Sequence, residues 1–339
     1  MDTPPDSSWP SPPGSGAVPA PAARRWSRPL LVTAKLALSG GQLAFVLRGT
    51  SLEALWQTVR QVRPAWIAAA MSMHGLMVAV SVWRWRLLLD AQQIRVPVRA
   101  LTESFWVALF FNNFLPSNIG GDVVRIADTS KPAGSKTLAT TVILVDRVLG
   151  LLALLSVGAA GAIAARSIGV DIPGTFWIEV AALSALGLCV LLFFTPALRN
   201  QALRPVKALA LGHPWVVERV ALLQDTLDRF GRRPAALAGA LAGAVIVQGV
   251  IVAFYALTAR SLAVPLPLVM AGVLVPVALV LQMMPVSING FGVREAVFSF
   301  FFVRFGLGVE AAVAVSLLGT ALIMLFSLGG GALFLLRRH

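Results

Sequence analysis

The chain has 339 residues, of which 57% are hydrophobic and only 13% are charged. Soluble globular domains carry about 25% charged residues, so this composition excludes an ordinary water-soluble domain and predicts helices that lie in a bilayer. The net charge is +13, from 28 Lys and Arg against 15 Asp and Glu. In a membrane protein such an excess is typical of basic cytoplasmic loops beside anionic headgroups, so we expect no nucleic-acid partner.

Residues 1–28 are predicted to form a disordered cytoplasmic tail. They are rich in Pro, Ser, Gly and Ala as far as residue 23, and Arg24, Arg25 and Arg28 follow. We interpret these arginines as the basic flank of a first, uncleaved span. Residues 29–339 are predicted to form a single transmembrane domain.

Two kinds of apolar segment follow the tail. Six runs are long enough to cross a bilayer, and they are about 30–47, 64–83, 137–164, 174–195, 235–259 and 309–336. Two further stretches, 99–130 and 267–305, are each interrupted by Pro and Gly. The basic segments 84–99 and 197–234 place both termini in the cytoplasm. With six full spans, both termini lie in the cytoplasm only if each interrupted stretch returns to the side of the membrane from which it entered. This condition predicts two re-entrant helix–break–helix hairpins. The segment 48–63, which this topology places outside, is basic and fits less well.

The two interruptions resemble each other. The first reads PSNIGGDVVR, from Pro116 to Arg125, and the second reads PVSINGFGVR, from Pro285 to Arg294. Five of the ten positions agree, 169 residues apart, and coincidence is the alternative explanation. With opposite entry sides, the similarity predicts an inverted repeat with halves of roughly 29–165 and 174–339. Overall, the fold class expected is an all-α polytopic membrane protein with about six full transmembrane helices and two re-entrant hairpins.

Inverted-repeat transporters place a substrate site near the midplane, between broken helices. A helix that restarts after a break exposes unpaired N–H groups and binds anions, and arginine binds phosphate or carboxylate bidentately. The candidate substrate-binding residues are Arg125, Arg294, Arg147, Asp146, Asn118, Gly120, Gly121, Asn289, Gly290 and Glu295. Structural alternatives stay open: Asp146 and Arg147 as ion pairs between helices, Glu295 as a helix-start charge, and the asparagines as caps.

Catalytic and metal-binding patterns are not evident in the sequence. The single cysteine, Cys189, lies in an apolar run, and the three histidines are far apart. We therefore expect no metal, no cofactor and no enzymatic activity.

Three motifs resemble a known family. They are NNFLPSNIGGDVVR at 112–125, VILVDRVLGLLAL at 142–154 and MMPVSINGFGVREAVF at 283–298. Together they resemble the flippase-like family of the lysylphosphatidylglycerol synthase transmembrane region, as a stand-alone bacterial member in the cell inner membrane. The resemblance implies a lipid flippase or transporter without the soluble aminoacyl- or glycosyl-transferase domain of some relatives.

The lipid partners that the resemblance implies are an anionic phospholipid, a polyprenyl phosphate or a hopanoid-type lipid. A partner enzyme of lipid modification is also implied. The alternatives are an ion or small-solute secondary transporter, which broken helices serve equally well, and a membrane partner subunit of a lipid-modifying enzyme. The motifs are specific for the family but not for one substrate or oligomeric state.

Overall fold

The computed structural model describes residues 62–115, 119–170, 174–195, 214–283 and 290–337, together with a few isolated positions between these ranges. All regular elements in these ranges are α-helices. They are α1 Pro64–Ala91, α2 Val98–Phe114, α3 Gly120–Ser130, α4 Lys136–Ser167, α5 Thr175–Phe194, α6 Pro214–Gly231, α7 Pro234–Ser261, α8 Leu268–Met283, α9 Val293–Arg304 and α10 Val309–Leu336.

Four of these helices are long and apolar enough to cross a membrane, namely α1, α4, α7 and α10. Large apolar side chains such as Leu183 on α5 and Leu325 on α10 are exposed, as expected for surfaces that face lipid. The prediction of an all-α polytopic membrane protein is thereby confirmed. The predicted span 30–47 lies outside the described residues, as do residues 116–118 and 284–289, which belong to the two predicted interruptions.

Helices α1 and α7 begin and end in the same way. Each has a proline in its first turn, where the missing N–H costs nothing. Each ends in a residue with positive φ that is not glycine, Gln93 at 62° and Ala263 at 57°. The next amide, of Ile94 or Val264, donates to the carbonyl five residues back, at 3.0 and 2.9 Å. This left-handed cap closes the helix end and turns the chain into the following helix.

The same two helices pack antiparallel at the centre of the bundle. At one end the Arg63 amide donates to the Ser261 carbonyl at 2.8 Å. At the other end the Arg233 guanidinium donates to the Asp90 carbonyl at 3.1 Å. Between these ends Gly243 lies against the ring of Trp83, where a Cβ would come within 2.9 Å. The contact therefore runs the full length of both helices.

The order of helix lengths is similar in the two halves. Helices α1 to α4 have 28, 17, 11 and 32 residues, and α7 to α10 have 28, 16, 12 and 28. The two halves also contact each other, since α2 packs on α10 and α4 packs on α8. Both crossings are close because they use glycine: Gly330 meets the Trp106 carbonyl, and a Cβ on Gly161 would lie 2.6 Å from the backbone of Gly272.

The buried apolar side chains form two clusters. One joins α1, α4 and α7 around Trp85, Leu88 and Ile143. The other joins α7 to α10 around Phe254 and Phe298. The charged groups described next lie beside these clusters, in the interior of the bundle.

Candidate functional site

The start of α3 is fixed by glycine. The Gly121 amide donates to Asn112 Oδ1 at 2.8 Å, and a Cβ on Gly121 would clash with the Ala108 carbonyl of α2. Helix α3 can therefore lie directly on α2. This packing directs Asp122 and Arg125, one turn apart, toward α4.

Asp146 of α4 binds two arginines from different helices. Its Oδ1 lies 2.7 Å from Arg84 Nε of α1, and its Oδ2 accepts a hydrogen bond from Arg125 Nη2 at 3.0 Å. All three side chains are buried. Ionised groups in an apolar interior are costly unless they are paired, so Asp146 stabilises both guanidinium groups.

Asp122 continues this network to Arg147. The Asp122 carboxylate forms an ion pair with Arg147 Nε and lies 3.8 Å from Arg125 Nη1. Neighbouring residues of a helix point about 100° apart, and accordingly Asp146 and Arg147 have different partners. We call Arg84, Asp146, Arg125, Asp122 and Arg147 the charge cluster. It holds three guanidinium groups and two carboxylates, and the Arg147 side chain is its most accessible member, at 36% exposed.

Aromatic rings hold Arg125 in place. Its guanidinium carbon lies 4.3 Å from the ring centroid of Trp85 and 5.3 Å from that of Phe105, within the range of cation–π attraction. The buried Arg125 Nε makes no hydrogen bond within the described part of the chain. The guanidinium is thus held in one orientation by the two rings and by its carboxylate partners.

A cavity of about 380 Å³ adjoins the charge cluster, and we call it the polar cavity. All five members of the cluster line it. Its wall also carries the side-chain amides of Asn112, Asn113, Gln248 and Gln282. Cationic and amide donors around one space form a site suited to an anion that can accept several hydrogen bonds.

Arg294 is neutralised by its immediate neighbours. Its Nη2 lies 3.3 Å from Glu295 Oε1, and its Nε donates to Ser316 Oγ at 3.0 Å. Ser316 in turn donates to Glu295 Oε1 at 2.7 Å. The second carboxylate oxygen of Glu295 accepts the Gly292 amide at 2.6 Å and caps α9. This geometry agrees with the interpretation of Glu295 as a helix-start charge.

A second cavity, of about 280 Å³, lies beside Arg294 and includes His74 and Tyr255 in its wall. It shares four wall residues with the polar cavity, namely Leu109, Asn113, Leu279 and Gln282. Arg125 and Arg294 therefore line neighbouring cavities with a common wall.

The predicted site residues fall into three groups. Arg125, Asp146 and Arg147 line the polar cavity, with Gly120 and Gly121 at the start of α3. Arg294 and Glu295 lie at the second cavity and at the start of α9, and Gly290, with φ 75°, lies close to the side chain of Gln282. Asn118 and Asn289 lie outside the described residues.

Sequence reasoning missed Arg84 and Ser316. We assigned Arg84 to the basic cytoplasmic segment 84–99, and this assignment was wrong because α1 continues to Ala91 and buries Arg84 in the bundle. Arg86, two residues away, is exposed, and the sequence does not show which of the two side chains faces inward. Ser316 gave no signal, since a serine in an apolar span is common.

Within the described residues, no group of three or more His, Cys, Asp or Glu side chains could hold a metal ion.

Comparison with known proteins identifies the family. No curated protein matches the chain. Residues 32–331 match the family described as the lysylphosphatidylglycerol synthase TM region. The chain therefore belongs to this family and is a membrane protein related to lipid handling.

Proposed function

We propose that the protein binds the anionic headgroup of a membrane lipid in the polar cavity and moves the lipid across the bilayer, without a catalytic step. The observation that carries this proposal is the composition of the charge cluster. Three arginines face two aspartates in a cavity between helices that include α1 and α4, both long and apolar enough to cross a membrane.

The excess positive charge favours an anionic ligand. A charged group inside a membrane protein is costly, so it usually faces a cavity and has a partner of opposite charge. Arg84 and Arg125 share Asp146, and Arg125 and Arg147 share Asp122. The five side chains of the cluster sum to one formal positive charge, which favours a phosphate or carboxylate in the cavity.

The proposed headgroup site belongs mainly to the first half of the chain. Arg294 already has Glu295 and Ser316 as partners and is buried with them. Its formal charge is balanced, so it has less to gain from a second anion. We therefore assign headgroup binding to Arg125 and Arg147, and a structural role to Arg294.

We further propose that α1–α4 and α7–α10 form an inverted repeat in which α2–α3 and α8–α9 are re-entrant hairpins. Three observations support it: the similar order of helix lengths, the antiparallel packing of α1 on α7, and the matching turns at Gln93 and Ala263. These bounds, 64–167 and 234–336, are narrower than those predicted from the sequence.

We propose that the face that carries the C-terminal ends of α1 and α10 is cytoplasmic, in a bacterial inner membrane. Side-chain contacts bring several helix ends together there: Arg233 with Asp90, Arg337 with Asp128, and Arg219 with Thr137. The turns and helix starts on this face carry Arg95, Arg99, Lys131 and Lys136. An excess of Lys and Arg favours the cytoplasmic side.

A vesicle assay tests the transport proposal. The purified protein is reconstituted with acyl-labelled fluorescent phosphatidylglycerol or phosphatidylcholine, and transbilayer movement is measured by dithionite quenching. Arg147→Gln removes a cavity charge and should slow movement of the anionic lipid about tenfold or more, since hydrogen bonds to charged groups contribute about 1.5–3 kcal/mol. Arg166→Gln is the matched control, because Arg166 lies on the same helix, is similarly exposed and also pairs with one acid, Glu179.

Equal rates for wild type and Arg147→Gln, at equal reconstitution, would overturn the headgroup site. Protein-dependent uptake of a free anion such as inorganic phosphate, with no lipid movement, would instead favour the small-solute transporter.

A further inference from the structure

We infer that the hydrocarbon chain of the bound lipid lies in an apolar groove between α4, α5, α8 and α9; this inference rests on the proposed headgroup site. The groove has a volume of about 590 Å³. Its wall includes Leu154, Ile178, Pro276, Val280, Val297 and Phe300. Ligand cavities for small molecules span about 300–1,000 Å³, so the groove is large enough for part of a long chain.

The groove offers a ligand almost no polar contact. Among its lining side chains, Thr175 has the only hydroxyl, and that hydroxyl already donates to the Ile172 carbonyl at 3.0 Å. The one indole N–H belongs to Trp177. A headgroup or an ion placed here would lose its hydration without replacement. A hydrocarbon chain has no such cost, and burying it removes apolar surface from water.

The groove adjoins the polar cavity. Leu154 lines both spaces. Along α4, the charge cluster lies at Asp146 and Arg147 and the groove begins at Leu154 and Leu155, about 12 Å further at 1.5 Å per residue. A lipid headgroup at the cluster would therefore direct its chain toward the groove.

Helix α8 also lines both spaces. Leu279, Gln282 and Met283 line the polar cavity, and Val280 and Leu281 line the groove. Helices α4 and α8 therefore border a polar space with one part of their surface and an apolar space with another, which divides the site in two. An amphiphile matches this division, and a small hydrophilic solute does not.

The groove opens at its rim toward the surroundings of the bundle. Trp177 is 70% exposed and Phe300 is 51% exposed. A chain in the groove could therefore enter sideways from the lipid, and its far end could remain among the lipid tails.

Chain-length preference tests the inference. Native mass spectrometry of the detergent-purified full chain would measure binding of dioleoyl-phosphatidylglycerol and dihexanoyl-phosphatidylglycerol. The wild type should bind the long-chain lipid about tenfold or more tightly, since each buried methylene adds affinity. Ala296→Trp and Ala181→Trp fill the groove from two walls. Ala160→Trp is the control, because Ala160 is exposed on α4 and does not line the groove.

The expected result is that both groove variants bind the long-chain lipid only as well as the short-chain lipid, while short-chain binding and the control match the wild type. Retention of the full preference in either folded groove variant would overturn the inference and leave the headgroup site intact. Failure of the headgroup proposal has a different signature, namely that Arg147→Gln binds both lipids as well as the wild type. That result would overturn both.

Discussion

Arg125 of α3 and Asp146 of α4 form a buried ion pair, with 3.0 Å between Nη2 and Oδ2. The pair links the helix that restarts after the first break to a long apolar helix. Arg84 of α1 binds the other oxygen of the same carboxylate. Asp146 therefore holds three helices together and also lines the polar cavity.

Asp146→Asn should destabilise the protein. The change removes the charge that compensates Arg84 and Arg125, and removal of one partner from a buried ion pair lowers the free energy of unfolding by about 3–5 kcal/mol. Thermal melting of the detergent-purified protein measures the loss. Anionic lipid should raise the melting temperature of Asp146→Asn more than that of the wild type, because it replaces the missing negative charge. A larger effect of zwitterionic lipid would contradict this account.

The control for that experiment is Asp225→Asn. Asp225 pairs with Arg229 one turn away on α6, and about half of each side chain is exposed. Exposed ion pairs contribute about 0–1 kcal/mol, so its melting temperature should hardly change, and anionic lipid should have the same effect as on the wild type.

Arg84→Gln and Arg86→Gln should have different effects on stability and on lipid retention, although the two residues are only two positions apart. Arg84 is buried against Asp146, whereas Arg86 is 52% exposed and lies 3.5 Å from Asp90. We expect Arg84→Gln to lower both stability and the retention of anionic lipid, and Arg86→Gln to do neither. Melting temperature and lipid content after purification report the two effects. Similar losses in both variants would indicate that the charge of the segment matters rather than the buried site.

The helices of this fold could be predicted from the sequence, but which side chains face inward and contact each other could not. The predicted spans 137–164 and 235–259 differ from α4 and α7 by one to three residues at each end, because apolar runs of this length report membrane crossing directly. The inward-facing side of each helix is harder to read. Lipid tails are as apolar as a packed interior, so no hydrophobic period separated the buried Arg84 from the exposed Arg86.

The site was predictable only in part for a related reason. Arg125 and Asp146 drew attention as charges near or within apolar segments. Their pairing depends on how α3 folds back on α2, which the close contact at Gly121 determines. The neutralisation of Arg294 depends on Ser316, from a helix that follows it in the chain, and no local pattern marks that serine.

Gly121→Ala should displace members of the charge cluster, although Gly121 itself is not a member. A Cβ at this position would clash with the Ala108 carbonyl, so α3 must move away from α2 and carry Asp122 and Arg125 with it. Overpacking of this kind costs about 1–3 kcal/mol, and bound anionic lipid should also be lost. Melting temperature and native mass spectrometry measure the two effects.

Gly75→Ala is the matched control for the glycine. A Cβ on Gly75 meets no atom within 4 Å, and alanine favours a helix interior by about 0.5–1 kcal/mol over glycine. This variant should be as stable as the wild type or more so. If Gly121→Ala behaved in the same way, the close packing of α3 on α2 would not be needed to position the cluster.

The proposed repeat predicts that position 316 could hold a carboxylate that neutralises Arg294, as Asp146 does for Arg125. Ser316 follows Asp146 by 170 residues, close to the 169 residues that separate Arg125 from Arg294. Arg125 binds Asp146, and Arg294 binds Ser316. In the second half the negative charge therefore comes from Glu295, beside Arg294 in the chain, rather than from the position equivalent to Asp146.

Moving the carboxylate from position 295 to position 316 should restore much of the stability that is lost when Glu295 is replaced. Glu295→Gln keeps an oxygen that can accept the Gly292 amide but leaves Arg294 buried without a carboxylate, so we expect a loss of about 3–5 kcal/mol. Adding Ser316→Asp supplies a carboxylate where the first half has Asp146, and the double variant should recover at least half of the lost melting temperature. A double-mutant cycle isolates this coupling. A double variant no more stable than Glu295→Gln would mean that the two arginines do not occupy equivalent environments, and the inverted repeat would lose its support at the site itself.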